Sequence, residues 1–408
     1  MLEVPLSAAL ADGAGPEPGL EPAGPPWSAG LLWNVQLALG LLSRRADPRW
    51  SPFLSSWPED APLLPKDMDS EELEEAEDED FEVRAEQTYF WLEEQYEVAR
   101  EAHEAANAAD AFPSEEEFRW AMAHVWSRCF RLELGEEQGA RRFLVPVLDL
   151  ANHEPFPSAL FDFAPAAACG PAARLYAARD IKAGEPVTVT YGEHSNSHFA
   201  LYYGFVPEAN PHDAGLVSLS DIIAHLPASV AAEPSGGWQQ TLRALEASGA
   251  QTTSLLMYPT APSEALVESL SALFAGVKDP PMGDLERAVR AIASACEAEE
   301  PDKEDAPSDA SAAALAGVSA GVALLWRLRR GRRRLLRELG RGMRLVSEEF
   351  AVDPAAARDR LEELRRKPLI YPGMQTLSSG ELEYEVWSRR TWDWATHEYV
   401  DSARPARR

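Results

Sequence analysis

Cysteine is scarce in this 408-residue chain, which has only three. Cys129, Cys169 and Cys296 are far apart and form no Cys-x-x-Cys pair. This spacing argues against a cysteine-based zinc cluster and against a disulfide framework. It is typical of a reducing compartment, so we expect an intracellular protein, with cytoplasm, nucleus and plastid not distinguished.

Long apolar runs are also missing. The first residues lack the basic start and unbroken apolar stretch of a signal peptide, so we expect none. The uncharged segment from Ala310 to Trp326 is shorter than the roughly 20 apolar residues that a membrane span needs. Because it is rich in Ala, Gly and Ser, we predict a buried helix there and no membrane partner.

Positive charge is in the minority, with 38 Lys and Arg against 67 Asp and Glu and a net charge of −29. This balance disfavours direct binding of nucleic acid. Eleven acidic residues fall between Asp67 and Glu82, and we predict a solvated, partly disordered loop there rather than a docking site. Nine arginines fall between Arg327 and Arg344, interleaved with leucines at helical spacing. We predict an amphipathic helix that contacts a partner or an acidic surface, in preference to a nuclear-localisation or nucleic-acid patch.

The periodicity of apolar residues predicts an α+β protein. Helices are predicted over 31–42, 88–109 and 114–130, with a capping box formed by Ser114 and Glu117, and an extended connector over 51–58. Strands are predicted over 2–6, 143–150, 175–178 and 186–191. Beyond Pro211 the pattern is mainly helical to about Arg366. We therefore expect a small β core with a helical insertion, followed by a helical lobe.

The most informative motifs are an Asn-His pair and two Tyr-Gly pairs. The segment from Leu144 to His153 reads Leu-Val-Pro-Val-Leu-Asp-Leu-Ala-Asn-His. Tyr191-Gly192 follows a Gly-Glu hairpin, and Ser195-Asn196 and Tyr203-Gly204-Phe205 come next. In order and spacing these motifs resemble the SET-domain protein methyltransferases, in the branch of the Rubisco large-subunit lysine methyltransferase.

The resemblance implies a SET domain over 1–206, interrupted by a helical insertion at about 27–125. A helical substrate-binding domain over 207–375 and a tail over 376–408 would follow. It implies S-adenosylmethionine as cofactor and a protein substrate, and we expect a monomer. The family's Gly-rich strand–turn–strand, which would precede the strand at Leu2, is not found. We therefore expect the SET domain to be incomplete at its N-terminus and the chain to bind S-adenosylmethionine poorly.

Tyr191 is the predicted catalytic residue. Methyl transfer to an amine is an in-line displacement that depends mainly on alignment in a narrow, dry channel. A rigidly held tyrosine hydroxyl suits this task because it both donates and accepts hydrogen bonds. On its own, a tyrosine before glycine is only a strand end; the resemblance is what favours the catalytic reading.

The resemblance assigns the remaining site residues. Asn152 and His153 would hold the cofactor. Asp149 would lie near the mouth of the cofactor and substrate sites, and Phe205 would line the cofactor pocket. Arg128, within Ser127-Arg128-Cys129-Phe130, would reach the cofactor carboxylate or the substrate channel. Tyr203 would line the substrate channel.

No metal site is expected. His194 and His198 stand four residues apart, but no third ligand has a suitable spacing. The favoured function is protein-lysine N-methylation of a non-histone substrate. Protein-histidine N-methylation, a catalytically inactive binding module, and an acidic helical scaffold with chance motifs are the alternatives.

Overall fold

A computed structural model describes residues 1–5, 9–11, 24–58, 60–134, 139–167, 169–207, 210, 212–230, 233–234, 236–253, 255–257, 264–275, 290–296 and 318–352. The chain divides into two compact units. The first comprises Met1–Asn210 with Gly317–Trp326, and the second comprises Pro211–Ala316 with Arg327–Arg408.

The first unit contains eight short strands in its described residues. They are β1 (Leu2–Pro5), β2 (Leu10–Ala11), β3 (Phe130–Glu133), β4 (Ala140–Leu144), β5 (Asn152–His153), β6 (Ala159–Ala167), β7 (Gly170–Ala177) and β8 (Thr188–Val189). Strands β1, β7 and β6 form one antiparallel sheet in that order, and β2, β4 and β3 form another. Strands β5 and β8 pair in parallel.

The predicted strand over 143–150 is correct only at its start, because β4 ends at Leu144. Pro146 has no backbone N–H for a ladder, and Val147 adopts a left-handed φ of 72°. The chain therefore turns into a 3-10 helix at Leu148–Leu150. The strand predicted over 186–191 is likewise shorter, so Tyr191 lies just after β8 rather than within it.

The helices of the first unit follow the apolar periodicity. They are α1 (Trp33–Arg44), α2 (Ser51–Leu54), α3 (Ser70–Leu73), α4 (Glu79–Ala105), α5 (Glu115–Arg128) and α6 (Asn196–Tyr203). The capping box predicted at Ser114 and Glu117 begins α5. The connector predicted to be extended over 51–58 instead contains α2, with Pro52 in its first turn, where the missing N–H costs nothing.

The prediction of a partly disordered acidic loop is wrong. Residues 67–82 form α3, a 3-10 turn and the start of α4. Asp69 and Asp78 accept hydrogen bonds from the backbone N–H groups of the two helices that they precede. Acidic side chains near helix N-termini are favourable. Leu73 and Phe81 are buried, so the acidic segment is anchored by apolar contacts as well.

The second unit has its own apolar core. Its described elements include the antiparallel pair β9 (Gly215–Val217) and β10 (Leu255–Met257), and the helices α7 (Leu219–Ala224), α8 (Trp238–Ala247) and α9 (Glu264–Phe274). The arginine-rich segment lies within helix α10 (Ala320–Val352), whose Leu335 and Leu336 are buried. This agrees with the predicted amphipathic helix. Within the described part of the chain, no helix is long and apolar enough to cross a membrane.

The helix predicted over 310–326 is present from Ala320, and Ala323, Leu324 and Leu325 are buried. Residues 310–317 lie outside the described residues, as do the predicted end of the helical lobe near Arg366 and the tail.

Candidate functional site

A cleft of about 570 Å³ opens in the first unit, between the end of α5 and the segment that joins β8 to α6. It is lined by Trp33, Trp126, Ser127, Arg128, Cys129, Phe130, Arg131, Arg142, Asp149, Phe161, Thr190, Tyr191, Gly192, His194, His198, Tyr202 and Tyr203. Four of the predicted site residues are therefore in one cleft: Arg128, Asp149, Tyr191 and Tyr203. Asn152, His153 and Phe205 do not line it.

A buried ion pair lies at one side of the cleft. Arg128 is the last residue of α5, and its Nη1 lies 3.2 Å from Asp149 Oδ2 and 3.3 Å from the Asp149 carbonyl oxygen. The Asp149 side chain is fully buried. Burial raises the pKa of Asp149 above its ordinary value, and a hydrogen bond from Trp57 and the charge of Arg128 offset this rise only in part. The charge of Arg128 thus favours the ionised carboxylate against desolvation.

Two polar atoms of this pair lack a hydrogen-bond partner in the described part of the chain. Among the described residues, neither Asp149 Oδ1 nor Arg128 Nε has a hydrogen-bond partner, although both atoms are buried. Such atoms are uncommon in folded proteins and need an explanation. Together they offer an acceptor and a donor, which would suit a ligand that carries both an ammonium and a carboxylate group.

Tyr191 is held in place by two hydrogen bonds and a stacked ring. Its hydroxyl donates to the Ala151 carbonyl oxygen at 2.9 Å, and its backbone N–H donates to His153 Nδ1 at 3.1 Å. Its ring stacks on Tyr203, with centroids 5.2 Å apart. Burial raises the pKa of Tyr191, partly offset by the charge of Arg128. The hydroxyl is therefore neutral near pH 7, and its oxygen can still accept a hydrogen bond.

His153 and Phe205 support Tyr191 from outside the cleft. The parallel pairing of β5 with β8 aligns His153 with Val189, two residues before Tyr191. Because His153 Nδ1 accepts the Tyr191 N–H, the neutral imidazole has its proton on Nε2. Its ring contacts those of Phe199 and Phe205, with centroids 4.5 and 6.0 Å apart. Asn152 is exposed.

The glycines of the two Tyr-Gly motifs are required by backbone conformation and by space. Gly192 has a φ of 122°, and a Cβ there would lie 2.6 Å from His194 Nε2. Gly204 ends α6 with a φ of 73°, and a Cβ there would lie 2.7 Å from the Leu63 carbonyl oxygen. Both positions favour glycine because other residues rarely adopt positive φ. The two glycines therefore determine the backbone conformation directly after Tyr191 and Tyr203.

Sequence reasoning missed several residues at or beneath the cleft. Phe130 and Phe161 pack edge to face with centroids 4.9 Å apart, and both line the cleft. Trp57 reaches Asp149 from 92 residues earlier in the chain. No local pattern signals so distant a contact, whereas Phe130 was visible as the last residue of the Ser-Arg-Cys-Phe motif.

His194 and His198 stack with ring centroids 4.0 Å apart at the cleft. Burial and the neighbouring His194 lower the pKa of His198 to about 4, so its imidazole is neutral at pH 7. In the parts of the chain that the structure describes, no group of three or more His, Cys, Asp or Glu residues could hold a metal ion.

Comparison with solved structures identifies the fold as that of SET domains. Rubisco LSMT bound to sinefungin and monomethyllysine superposes with a TM-score of 0.52 at 18% identity, covering 87% of this chain and 83% of that one. The SET domain of LSMT bound to lysine and AdoHcy gives 0.51 at 16% identity, covering 80% and 77%. The predicted resemblance and the α+β fold class are confirmed.

Curated relatives share sequence with part of this chain. The actin-histidine N-methyltransferase of Canis lupus familiaris is 30% identical over 202 residues, which are 46% of this chain and 32% of that protein. The same enzyme of Danio rerio is 28% identical over 205 residues, again 46% and 32%. The chain thus spans about a third of the length of these relatives. No family model matches the sequence.

Proposed function

We propose that this protein is an S-adenosylmethionine-dependent protein N-methyltransferase. The observation that carries the proposal is the fixed Tyr191 hydroxyl beside the Arg128–Asp149 pair in one cleft of a SET fold. It is supported by similar structures bound to AdoHcy or sinefungin and by relatives named as methyltransferases.

The cleft fits the cofactor in two respects. The unsatisfied Arg128 Nε and Asp149 Oδ1 complement the carboxylate and ammonium of the cofactor's amino-acid end. Aromatic rings from Tyr191, Tyr203 and Phe130 offer faces that attract a positive sulfonium. When bound, the cofactor supplies an electrophilic methyl group. We further propose that His153 and Phe205, which lie outside the cleft, support the cofactor pocket by fixing the ring of Tyr191, and that Asn152 contacts the cofactor from its exposed position beside His153.

Tyr191 acts in this proposal by alignment rather than as a base. Burial raises its pKa, so it does not remove a proton near neutral pH. Its oxygen, held by the bond to Ala151, accepts a hydrogen bond from an N–H group of the target side chain and so orients the nitrogen that carries the attacking lone pair. Tyr203, stacked on it, limits the width of the channel and excludes water.

For the target we propose a histidine side chain. The curated relatives are histidine methyltransferases. The chemistry of the cleft agrees, because an imidazole with a pKa of about 6.5 is largely neutral at pH 7, whereas a lysine amine at about 10.4 must first lose a proton. Tyr191 is neutral, and Asp149 is engaged by Arg128 and Trp57, so neither residue is available to remove a proton from a lysine ammonium.

Lysine is the second candidate. The solved structures of similar fold hold lysine or monomethyllysine, and the stacked Tyr191 and Tyr203 would form aromatic walls for an alkyl ammonium side chain. Methylation of a lysine on a non-histone protein, which the sequence analysis favoured, therefore remains our second proposal.

The test combines calorimetry with methyl transfer. We expect weak but measurable binding of S-adenosylmethionine, and expect label from its methyl group on actin and on a peptide with one histidine. A matched peptide with lysine at that position should remain unlabelled. Label on the lysine peptide alone would favour the second candidate. Binding without any transfer would indicate a binding module, and absence of binding would contradict the proposal.

A further inference from the structure

Trp57 joins the helical insertion to the cleft. Its indole Nε1–H donates to Asp149 Oδ2 at 2.6 Å, and both side chains are buried. The guanidinium of Arg128 lies over the same indole ring, 5.1 Å from its centroid. One side chain from the turn after α2 thus contacts both members of the buried ion pair.

The indole is itself held by its neighbours. Its ring stacks on His124 with centroids 4.8 Å apart and meets Phe53 edge to face at 4.9 Å. His124 is on the face of α5 that also presents Arg128, four residues later. The orientation of the N–H is therefore set before any ligand arrives.

We propose that Trp57 is a positioning residue for methyl transfer, which holds the Asp149–Arg128 pair in the geometry that the cofactor and substrate meet. The inference rests on the proposed function. Asp149 Oδ1 has no partner among the described residues, so the carboxylate is oriented only through Oδ2. Without the indole donor, Arg128 would be the one described side chain still bonded to the carboxylate, which could then rotate more freely about its Cβ–Cγ bond.

The charged and titratable groups that face Asp149 are Arg128 from α5 and Tyr191 after β8. His124 lies behind the indole, and the charge of Arg128 acts on it. A donor to the ionised carboxylate lowers the pKa of Asp149, so loss of that donor raises it. The acid limb of the activity profile, where the carboxylate becomes protonated, should then move to higher pH.

The experiment compares two tryptophan-to-phenylalanine substitutions in the whole chain. Trp120 is in the same aromatic cluster as Trp57, but its Nε1 has no hydrogen-bond partner in the described structure. We expect Trp57→Phe to lower kcat/KM roughly tenfold or more and to shift the acid limb upward, since it removes a bond to a charged group. Trp120→Phe should change kcat/KM less than about threefold, with no shift of the limb. Equal losses, or no loss in Trp57→Phe, would overturn the proposal.

Two further measurements separate the contact from a folding defect, and the second of them does not depend on activity. In an Asp149→Ala background, Trp57→Phe should have no additional effect on kcat/KM, as expected when one residue acts through another. Relative to the wild-type protein, the NMR signal of the Trp57 indole proton should move in Asp149→Ala and should stay in place in Tyr176→Phe, a substitution on β7 that leaves the rings around Trp57 unchanged. An unmoved signal would show that the contact is absent in solution. An inactive wild-type protein would contradict the proposed function and leave this NMR test standing.

Discussion

The position of the Tyr191 hydroxyl explains how a residue with a raised pKa could still serve in a transfer reaction. Burial keeps the hydroxyl neutral, and its own proton is engaged by the Ala151 carbonyl oxygen. The oxygen keeps lone pairs that can accept a hydrogen bond from a group in the cleft. A group in this state orients a nucleophile without competing for its proton.

We therefore predict that Tyr191→Phe lowers turnover by roughly 100-fold while changing the affinity for S-adenosylmethionine less than about threefold. The ring and its stacking on Tyr203 are kept, and only the hydroxyl is removed. Tyr176→Phe is the matched control, because Tyr176 lies on β7 and does not line the cleft. Single-turnover kinetics and calorimetry measure the two quantities, and wild-type turnover in Tyr191→Phe would remove the residue from the reaction.

His124 gives a second prediction, on stability. It is fully buried between Trp57 and Trp120, and burial lowers its pKa to about 4. The unfolded chain binds this proton below its ordinary pKa of about 6.5, so stability is present above that pH and is lost as the pH falls toward 4. Between pH 7 and pH 4 the loss attributable to His124 should be about 3 kcal/mol.

Urea unfolding at the two pH values measures this contribution. His124→Phe should reduce the pH dependence of the free energy of unfolding, while His225→Phe, at an exposed position, should leave it as in the wild-type protein. An unchanged pH dependence in His124→Phe would show that the pKa of the buried imidazole is the same in the folded and unfolded chain.

Helix α6 depends on the glycine that ends it. Gly204 has a positive φ, and its backbone lies against the Leu63 carbonyl oxygen. We predict that Gly204→Ala lowers the free energy of unfolding by about 1–3 kcal/mol and displaces Tyr203. Gly30→Ala is the control, since a Cβ there would meet nothing within 4 Å. Chemical denaturation compares the two variants, and equal stabilities would contradict the steric argument.

Elements whose sequence signals are local were predicted well. Helices α1 and α5 combine apolar periodicity with clear ends, and α5 has its capping box. Strand β6 was missed because Pro165 and several alanines lie within it, and its stability comes from pairing with β7. The prediction of a partly disordered loop over the acidic segment was wrong for a related reason. The charge of the segment favours solvation, but Leu73 and Phe81 are buried in the folded chain, and burial depends on tertiary packing that the local sequence does not show.

Part of the candidate site was also indicated before the structure was known, and part was not. The resemblance indicated Arg128, Asp149, Tyr191 and Tyr203, which the fold brings into one cleft. It could not indicate Trp57, because that contact depends on how the turn after α2 packs against the turn at Asp149.

Charge is a property of the entire chain with a measurable effect on its stability. A net charge of −29 produces self-repulsion in the compact state. We predict that raising NaCl from about 50 to about 500 mM increases the melting temperature by roughly a few degrees, because the added ions screen this repulsion. Sucrose at equal osmolality is the control for general solvent exclusion, and a melting temperature that falls with salt would contradict the prediction.

The long sequence separations within the cleft have a kinetic consequence. Tyr191 bonds to a residue 38 positions earlier, and Trp57 to one 92 positions later. Closing loops of this length costs chain entropy that is recovered only when the surrounding contacts have formed. We therefore expect the cleft to assemble late in folding. During refolding, the Trp57 indole signal should reach its native position only after the helical signal of α1 and α5 has appeared.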